Sequence, residues 1–215
     1  MLMYVLFALS AYAVVILSSE ISFKAGYSSF VTRKIAHMFC GLITASLPLF
    51  LTLPYAVLTG LLLSLFVFLS KKLRIFKGIE HSDELSWGTL YFPLGFVLSA
   101  LIFWNMNTLI FSGSALVLGF ADSCAALIGK RFGKRKIPNT SKSYVGTATF
   151  VCVTLFISVL MYYFMQGSFS EFSLLRGFML LIGSILIAGV EAISDNGTDN
   201  LYIPLSAGML LYLIA

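Results

Sequence analysis

Charge is scarce in this 215-residue chain: Asp, Glu, Lys and Arg make up 11% of it, against 59% apolar residues. Water-soluble domains carry roughly 25% charged residues, so too little polar surface is present to cover a soluble globule. A mean hydropathy of +0.97 points the same way. Cysteine is nearly absent. Cys40, Cys124 and Cys152 all fall within apolar runs and share no C-x-x-C spacing, so they read as small buried hydrophobes rather than disulfide partners or zinc ligands. The basic clusters are short and flanked by apolar stretches, which speaks against nucleic acid as a partner. Lys and Arg are missing from the first 19 residues. Without a positive n-region the opening apolar run is expected to be a retained helix, although Ala11-Tyr12-Ala13 faintly resembles a signal cleavage site.

What the chain does have is a series of apolar runs near the spanning length of about 20 residues. They lie near 2–18, 35–52, 54–70, 89–105, 108–128, 147–165, 173–193 and 201–215. The expected fold is all-α: a polytopic membrane helical bundle of about eight transmembrane helices, with seven or nine as neighbouring counts, forming one integral membrane domain over residues 1–215. The second and third runs are joined by a tight turn around Thr52 and Pro54. The last contains Pro204 and is expected to be tilted, kinked or incompletely spanning. Loops near 19–34, 71–88, 129–146 and 194–200 would share one side, and of the 14 Lys and Arg residues only Arg176 falls on the other. Because Lys and Arg resist translocation, the basic side is expected to be cytoplasmic, with both termini opposite. The loops 52–54, 105–108 and 166–172 are short and nearly uncharged. Glu80, Asp83, Glu84, Asp195 and Asp199 lie in or beside the basic loops. Asp122 and Glu191 instead lie inside apolar runs, expected one to two turns from the cytoplasmic ends, where an ionisable group needs a polar cavity or a partner. No internal repeat emerges, which weakens an inverted-repeat transporter.

Four constellations can carry chemistry. The first runs from Gly119-Phe-Ala-Asp122 through Gly129-Lys130 and Gly133-Lys134 to Lys142-Ser143-Tyr-Val-Gly146-Thr147. A helix with a buried Asp ends in glycines at the membrane surface, a loop with six basic residues follows, and a new helix begins near Gly146. Glycine lets a backbone approach phosphate, Lys and Arg neutralise it, and a helix N-terminus adds amide donors. An Asp aimed at the same spot suits the Mg²⁺ that accompanies a nucleotide triphosphate. The plainer alternative is a positive-inside loop beside an incidental Asp. It is not a Walker A loop, since no G-x-x-x-x-G-K-[ST] string is present. The second constellation is Glu191-Ala-Ile-Ser-Asp195-Asn196-Gly197-Thr-Asp199-Asn200. Glu191 and Asp195 share a face if the helix continues that far, and would then repel unless a metal ion or basic groups stood between them. Asn196-Gly197 supplies a turn, and Asp199 reads equally as a helix cap or a metal ligand. The third is Arg33-Lys34-Ile-Ala-His37, either snorkelling cations beside a satisfied histidine or a phosphate clamp in which His37 bonds or takes a proton. The fourth is the polar loop from Glu80-His-Ser-Asp83-Glu84 into a helix with Ser86, Gly88, Pro93 and Gly95, in which Trp87 and Tyr91 suit an interfacial belt.

Taken in order, Arg33-Lys34-x-x-His37, Ser86-x-Gly88-Thr89-Leu-Tyr91-Phe-Pro93, Ala121-Asp122-x-x-Ala125 through Gly129 and Gly133 to Lys142-Ser143-x-x-Gly146, and Glu191-x-x-Ser194-x-x-Gly197-x-Asp199-Asn200-Leu form a familiar pattern. It resembles the CTP-dependent lipid-alcohol kinases, the family of dolichol, phytol and farnesol kinases and CTP-dependent diacylglycerol kinases, distantly related to phosphatidate cytidylyltransferases. The resemblance covers residues 33–204. Two positions depart from it: Val145 stands where the family often has Glu before the glycine, and Ala121 where it commonly has Gly before the Asp. The resemblance implies transfer of the γ-phosphoryl group of CTP to the hydroxyl of an isoprenoid alcohol in the bilayer, such as farnesol, phytol or a polyprenol. Diacylglycerol is the alternative acceptor, with a cytidylyltransferase reaction or a small ion-coupled transporter behind it. It further implies that Asp122, with Glu191 or Asp199, binds Mg²⁺, and that Arg33, Lys34, Lys130, Lys134, Lys142 and Ser143 hold phosphate. Gly129, Gly133 and Gly146 would allow close backbone approach, and Ser86, Gly88, Tyr91 and Asn200 would lie toward the lipid. Asp122, Glu191 and His37 are the candidates for general base. Nothing in the residues encodes the length of the lipid.

Overall fold

The computed structural model describes residues 1–79, 86–170 and 172–215, and among these residues there are eight helices and no strand. Helix α1 covers Leu2–Lys24, α2 Ser29–Ser46, α3 Leu53–Leu73 and α4 Gly88–Phe103. Helix α5 covers Thr108–Phe132, α6 Tyr144–Gln166, α7 Leu174–Ile193 and α8 Asp199–Ile214. Each apolar run has become one helix, and the chain is an all-α bundle. The acidic run Glu80, Asp83 and Glu84 lies outside the described residues. Helices α1, α3, α5, α6 and α7 are long and apolar enough to cross a membrane, whereas α4 and α8 are apolar but only 16 residues each. Local signals set several of the starts: Ser28, Asn107, Ser143 and Ser173 accept backbone N–H groups in the first turns of α2, α5, α6 and α7.

The helices run alternately up and down, so the starts of α2, α4, α6 and α8 meet the ends of α1, α3, α5 and α7. Hydrogen bonds tie that end together. Ser19 Oγ and Thr32 Oγ1 each donate to the Gly78 carbonyl at 2.8 Å, and Asn200 Nδ2 donates to the Gly88 carbonyl at 2.7 Å. At the far end Gln166 Nε2 donates to the Ala215 carbonyl at 2.8 Å, and Arg176 Nη1 to the Tyr162 hydroxyl at 3.0 Å. Arg176 is therefore remote from the other basic residues, as the loop charges predicted. The outer surface is apolar: Leu6 and Phe7 on α1, Leu65 on α3, Phe156 on α6 and Leu186 on α7 all face outward. So broad an apolar exterior suits hydrocarbon rather than water.

Helix α5 is the most enclosed of the long helices and crosses α2 at two glycines. A Cβ added to Gly41 would stand 2.8 Å from Gly119 Cα, and one added to Gly119 would stand 3.0 Å from Gly41 Cα. Small residues at such a crossing let two backbones approach closely. The crossing lies beside Asp122 on one helix and His37 on the other. Residues Val117–Asp122 form a π-helical stretch, which re-aims the residues that follow and is common at functional sites. Helix α5 continues past its apolar run to Phe132, so Asp122 lies about 15 Å from the end of the helix. One expectation is corrected here. Of the cysteines only Cys40 is buried; Cys124 is half-buried and Cys152 faces outward, a position that an apolar thiol tolerates against lipid.

Gly41→Ala should force α2 and α5 apart, because the atoms it meets are backbone. The expected loss is about 1–3 kcal/mol of stability, read as a lower unfolding midpoint in detergent. Gly189→Ala, where nothing lies within 4 Å of the new Cβ, should leave the midpoint unchanged or raise it.

Candidate functional site

A cavity of about 720 Å³ opens at the cation-rich end of the bundle, within the range of small-molecule sites. Helix α2 contributes Arg33, Lys34 and His37; the end of α5 contributes Gly129 and Lys130. The following loop and the start of α6 add Gly133, Lys142, Ser143, Gly146 and Thr147. Glu191, Asp199 and Asn200 come from α7 and α8, and Ser86 and Gly88 from the approach to α4. Parts of all four constellations, distant in sequence, thus reach one space. Lys134 and Tyr91 do not line it. Lys134 is exposed, and Tyr91 falls on a different face of α4 from Thr89, Phe92 and Pro93.

Two lysines organise the charge. Lys34 Nζ donates to Asp122 Oδ2 at 2.5 Å, with the Asp122 side chain 1% exposed. His37 Nε2 stands 3.6 Å from the same oxygen. Asp122 Oδ1 has no hydrogen-bond partner among the described residues. A buried carboxylate needs cations and donors around it, and here one oxygen is engaged while the other stays open. Asp122 is fully enclosed, so Lys34 and His37 rather than the carboxylate face the cavity. The second lysine, Lys142, donates to Glu191 Oε1 and lies 3.7 Å from Asp199 Oδ2. Burial works against the Lys142 ammonium, but the carboxylates of Asp122, Glu191 and Asp199 outweigh it and raise its pKa above the ordinary value. All three acids therefore act on one cation and belong to a single cluster. Among the described residues no three His, Cys, Asp or Glu side chains form a metal cage by themselves. Mg²⁺ in phosphate chemistry takes only one or two carboxylates, with phosphate and water supplying the rest. Glu191 and Asp199, which line the cavity, fit such a pair, whereas Asp122 Oδ1 lacks a partner but is enclosed behind Lys34 and His37.

The loop between α5 and α6 explains how Lys142 gets there. Ile137 N–H donates to the Lys142 carbonyl at 3.0 Å and Tyr144 N–H to the Arg135 carbonyl at 3.2 Å. Lys136 Nζ bonds the Ser141 carbonyl at 2.9 Å, and Asn139 takes φ 60 at the tip. The loop is thus a small hairpin that folds back and delivers Lys142 inward. Ser143 then caps α6, accepting Gly146 N–H at 3.1 Å. A Cβ on Gly133 would meet Ser143 Oγ at 2.1 Å, and one on Gly129 would meet Gly146 Cα at 3.1 Å. These glycines line the cavity, and the room left by their missing side chains is filled by Ser143 and by one another.

The second constellation is arranged differently from its spacing. Helix α7 ends at Ile193 and Ser194 is extended, so Glu191 and Asp195 share no helix face, and Asp195 is exposed at the rim. A basic group, Lys142, stands between the two acids that do converge, Glu191 and Asp199. The cap reading of Asp199 fails: α8 has Thr198 at its N-cap with no side-chain cap bond, and Asp199 Oδ1 accepts only the neighbouring Asn200 N–H, at 3.0 Å. Two residues had no role assigned to them from the sequence. Glu20 is buried and accepts Gly78 N–H at 2.8 Å, pinning the segment after α3 so that Ile79 walls the cavity. Its only signal was an acid at the end of an apolar run, one turn before Lys24. Thr147 lines the cavity with a buried hydroxyl that has no partner among the described residues.

Lys142→Met leaves Glu191 and Asp199 facing each other without their shared cation. Breaking one side of a buried pair costs about 3–5 kcal/mol, and because the Lys142 side chain is 26% exposed a loss nearer 1–3 kcal/mol is expected. Since the folded pKa is raised, that stabilisation is fully present below the ordinary value of 10.5 and fades only at higher pH. Unfolding of both proteins in detergent should therefore give a difference that does not fall between pH 7 and pH 9.

No family model matches the chain, and no solved structure matches it. Curated relatives do. A phytol kinase of Synechocystis sp. is 29% identical over 210 residues, which cover 92% of this chain and 85% of the relative. A probable phytol kinase 2, chloroplastic, of Oryza sativa subsp. japonica is 29% identical over 209 residues, covering 87% of this chain and 67% of the relative. A farnesol kinase, chloroplastic, of Arabidopsis thaliana is 32% identical over 145 residues, covering 62% and 46%. With a lysine-rich, acid-linked cavity at one end of an apolar bundle, the chain is similar over most of its length to lipid-alcohol kinases, the phytol and farnesol kinases among them.

Proposed function

We propose that this membrane kinase transfers the γ-phosphoryl group of CTP to the hydroxyl of an isoprenoid alcohol of phytol, farnesol or polyprenol type, at the cytoplasmic face. The observation that carries the reading is the make-up of the cavity: Arg33, Lys34 and Lys142 on one side and apolar side chains such as Leu63, Val67 and Phe92 on the other. A nucleotide triphosphate needs the first surface and a lipid alcohol the second. Support for the isoprenoid acceptor over diacylglycerol comes from the names of the relatives. Support for the cytoplasmic face comes from the crowding of basic residues at the cavity end.

Phosphoryl transfer asks the protein mainly for in-line positioning and for neutralisation of charge on the oxygens. Arg33, Lys34 and Lys142 supply fixed cations, and the α6 N-terminus behind Ser143 adds amide dipoles. Glu191 and Asp199, which line the cavity, would hold Mg²⁺, which supplies further neutralisation of the phosphates when bound. Of the three candidate bases, His37 and Glu191 line the cavity and can reach an alcohol proton. Asp122, expected from the sequence as a metal ligand, is enclosed and engaged with Lys34, which leaves it to charge balance. The apolar walls keep bulk water from competing with the alcohol for the phosphoryl group.

Purified protein in nanodiscs with Mg²⁺ should transfer label from γ-labelled CTP to farnesol, phytol or a polyprenol offered beside diacylglycerol. Asp122→Asn should lower the rate about 10²–10³-fold, the usual cost of losing a central electrostatic group. Unlabelled ATP and GTP added as competitors test the choice of donor. Label from α-labelled CTP appearing in a CDP-lipid contradicts the kinase reading.

A further inference from the structure

The cavity has an arm that the phosphate chemistry does not use. Past His37 it is walled by Ile16 on α1, Cys40 on α2, Leu63 and Val67 on α3, and Phe92 and Pro93 on α4. All six side chains are buried from the outside of the bundle, yet they border open space. Leu63 lies ten residues before the end of α3 and Cys40 eleven residues after the start of α2, which at ~1.5 Å per residue puts the arm about 15 Å inside the bundle. Leu63 and Val67 are one turn apart on the same face of α3 and form one side of it.

One turn further along α1 and α2 than Ile16 and Cys40 stand Tyr12 and Thr44, which do not themselves line the cavity. The Thr44 hydroxyl donates to the Cys40 carbonyl at 2.8 Å, so its oxygen is left to accept from the Tyr12 hydroxyl at 2.7 Å. Both side chains are buried, at 2% and 1% exposure. A second void of only about 10 Å³ is bordered by Tyr12 and Thr44, with Ala56, Gly60 and Phe96 among its other walls, and shares Leu63 and Pro93 with the large cavity. Tyr12 and Thr44 therefore lie just past the last residues that line the arm on α1 and α2, beside unfilled space. Apolar walls give water almost no hydrogen-bond partners, and open apolar space forfeits dispersion contacts. A hydrocarbon chain removes both penalties.

We infer that this arm seats the hydrocarbon tail of the acceptor lipid, and that the Tyr12–Thr44 hydrogen bond closes its far end and limits tail length. The inference rests on the kinase reading above and adds to it a specificity determinant. The tail lies inside the bundle among α1, α2, α3 and α4, in continuity with the cationic half, so the hydroxyl at its head is delivered to the phosphates.

The test is the ratio of kcat/KM for a C20 to a C10 isoprenoid alcohol, measured with wild type, Val67→Phe and Tyr12→Ala in nanodiscs. Val67→Phe narrows the arm and should lower the ratio about tenfold or more, on the order of two methylenes' worth of burial. Tyr12→Ala opens the far end and should raise it. Neither variant should change the KM for the nucleotide, and general loss of folded protein lowers both rates together without moving the ratio. The two changes act in opposite directions, so either variant alone decides the matter if the other does not fold. An active wild type whose variants keep the wild-type ratio overturns the arm assignment and leaves the kinase reading intact. A wild type that phosphorylates no alcohol of any length overturns the kinase reading, and the arm assignment with it.

Discussion

An ionised carboxylate deep in an apolar helix bundle is tolerable only beside a cation, and the Lys34–Asp122 pair meets that constraint. Much of the surrounding architecture serves to bring the two together. The Gly41–Gly119 crossing lets α2 and α5 approach at backbone contact, and the π-helical turns before Asp122 set the direction in which it points. The long lysine stem reaches down from the second turn of α2, so its charge is placed where the main chain could not carry it. Once that pair is formed, His37 is held beside the same carboxylate and the cavity acquires its floor of charge.

The alternating helices add a second electrostatic layer. Because α2, α4, α6 and α8 all begin at the cavity end, their N-terminal dipoles point there, and such ends favour anions. Acids at the same place would then be poor partners for phosphate if they stood alone. Glu191 and Asp199 do not, since the hairpin after α5 brings Lys142 between them. Cations outnumber acids around the cavity, an arrangement suited to neutralising a phosphate-bearing ligand. The apolar arm completes the division of labour by keeping the lipid tail away from this charged region while sharing one wall with it.

Much of this was legible in the sequence. The eight apolar runs are the eight helices, because spanning length and hydropathy are local properties that no tertiary contact has to supply. The sidedness of the basic residues followed from the same count. Pairings were less accessible. Lys34 and Asp122 are 88 residues apart and Lys142 and Glu191 are 49 apart, so no periodicity links them. The register argument for Glu191 and Asp195 failed because α7 stops at Ile193. Glu20 was overlooked because its partner is a backbone N–H, that of Gly78, which a sequence does not advertise. The apolar arm was invisible for a similar reason: Leu63, Val67 and Cys40 look like any other buried apolar residues until four helices are placed around them.

The most direct test of the account is a double-mutant cycle on Lys34 and Asp122, using Lys34→Met, Asp122→Asn and the pair, with unfolding free energies measured in bicelles. A shared buried ion pair predicts strong non-additivity, with the double variant more stable than the two single losses imply by about 1–3 kcal/mol. Single losses that add to within about 0.5 kcal/mol would contradict it, because the two residues would then not share the contact on which the site is built.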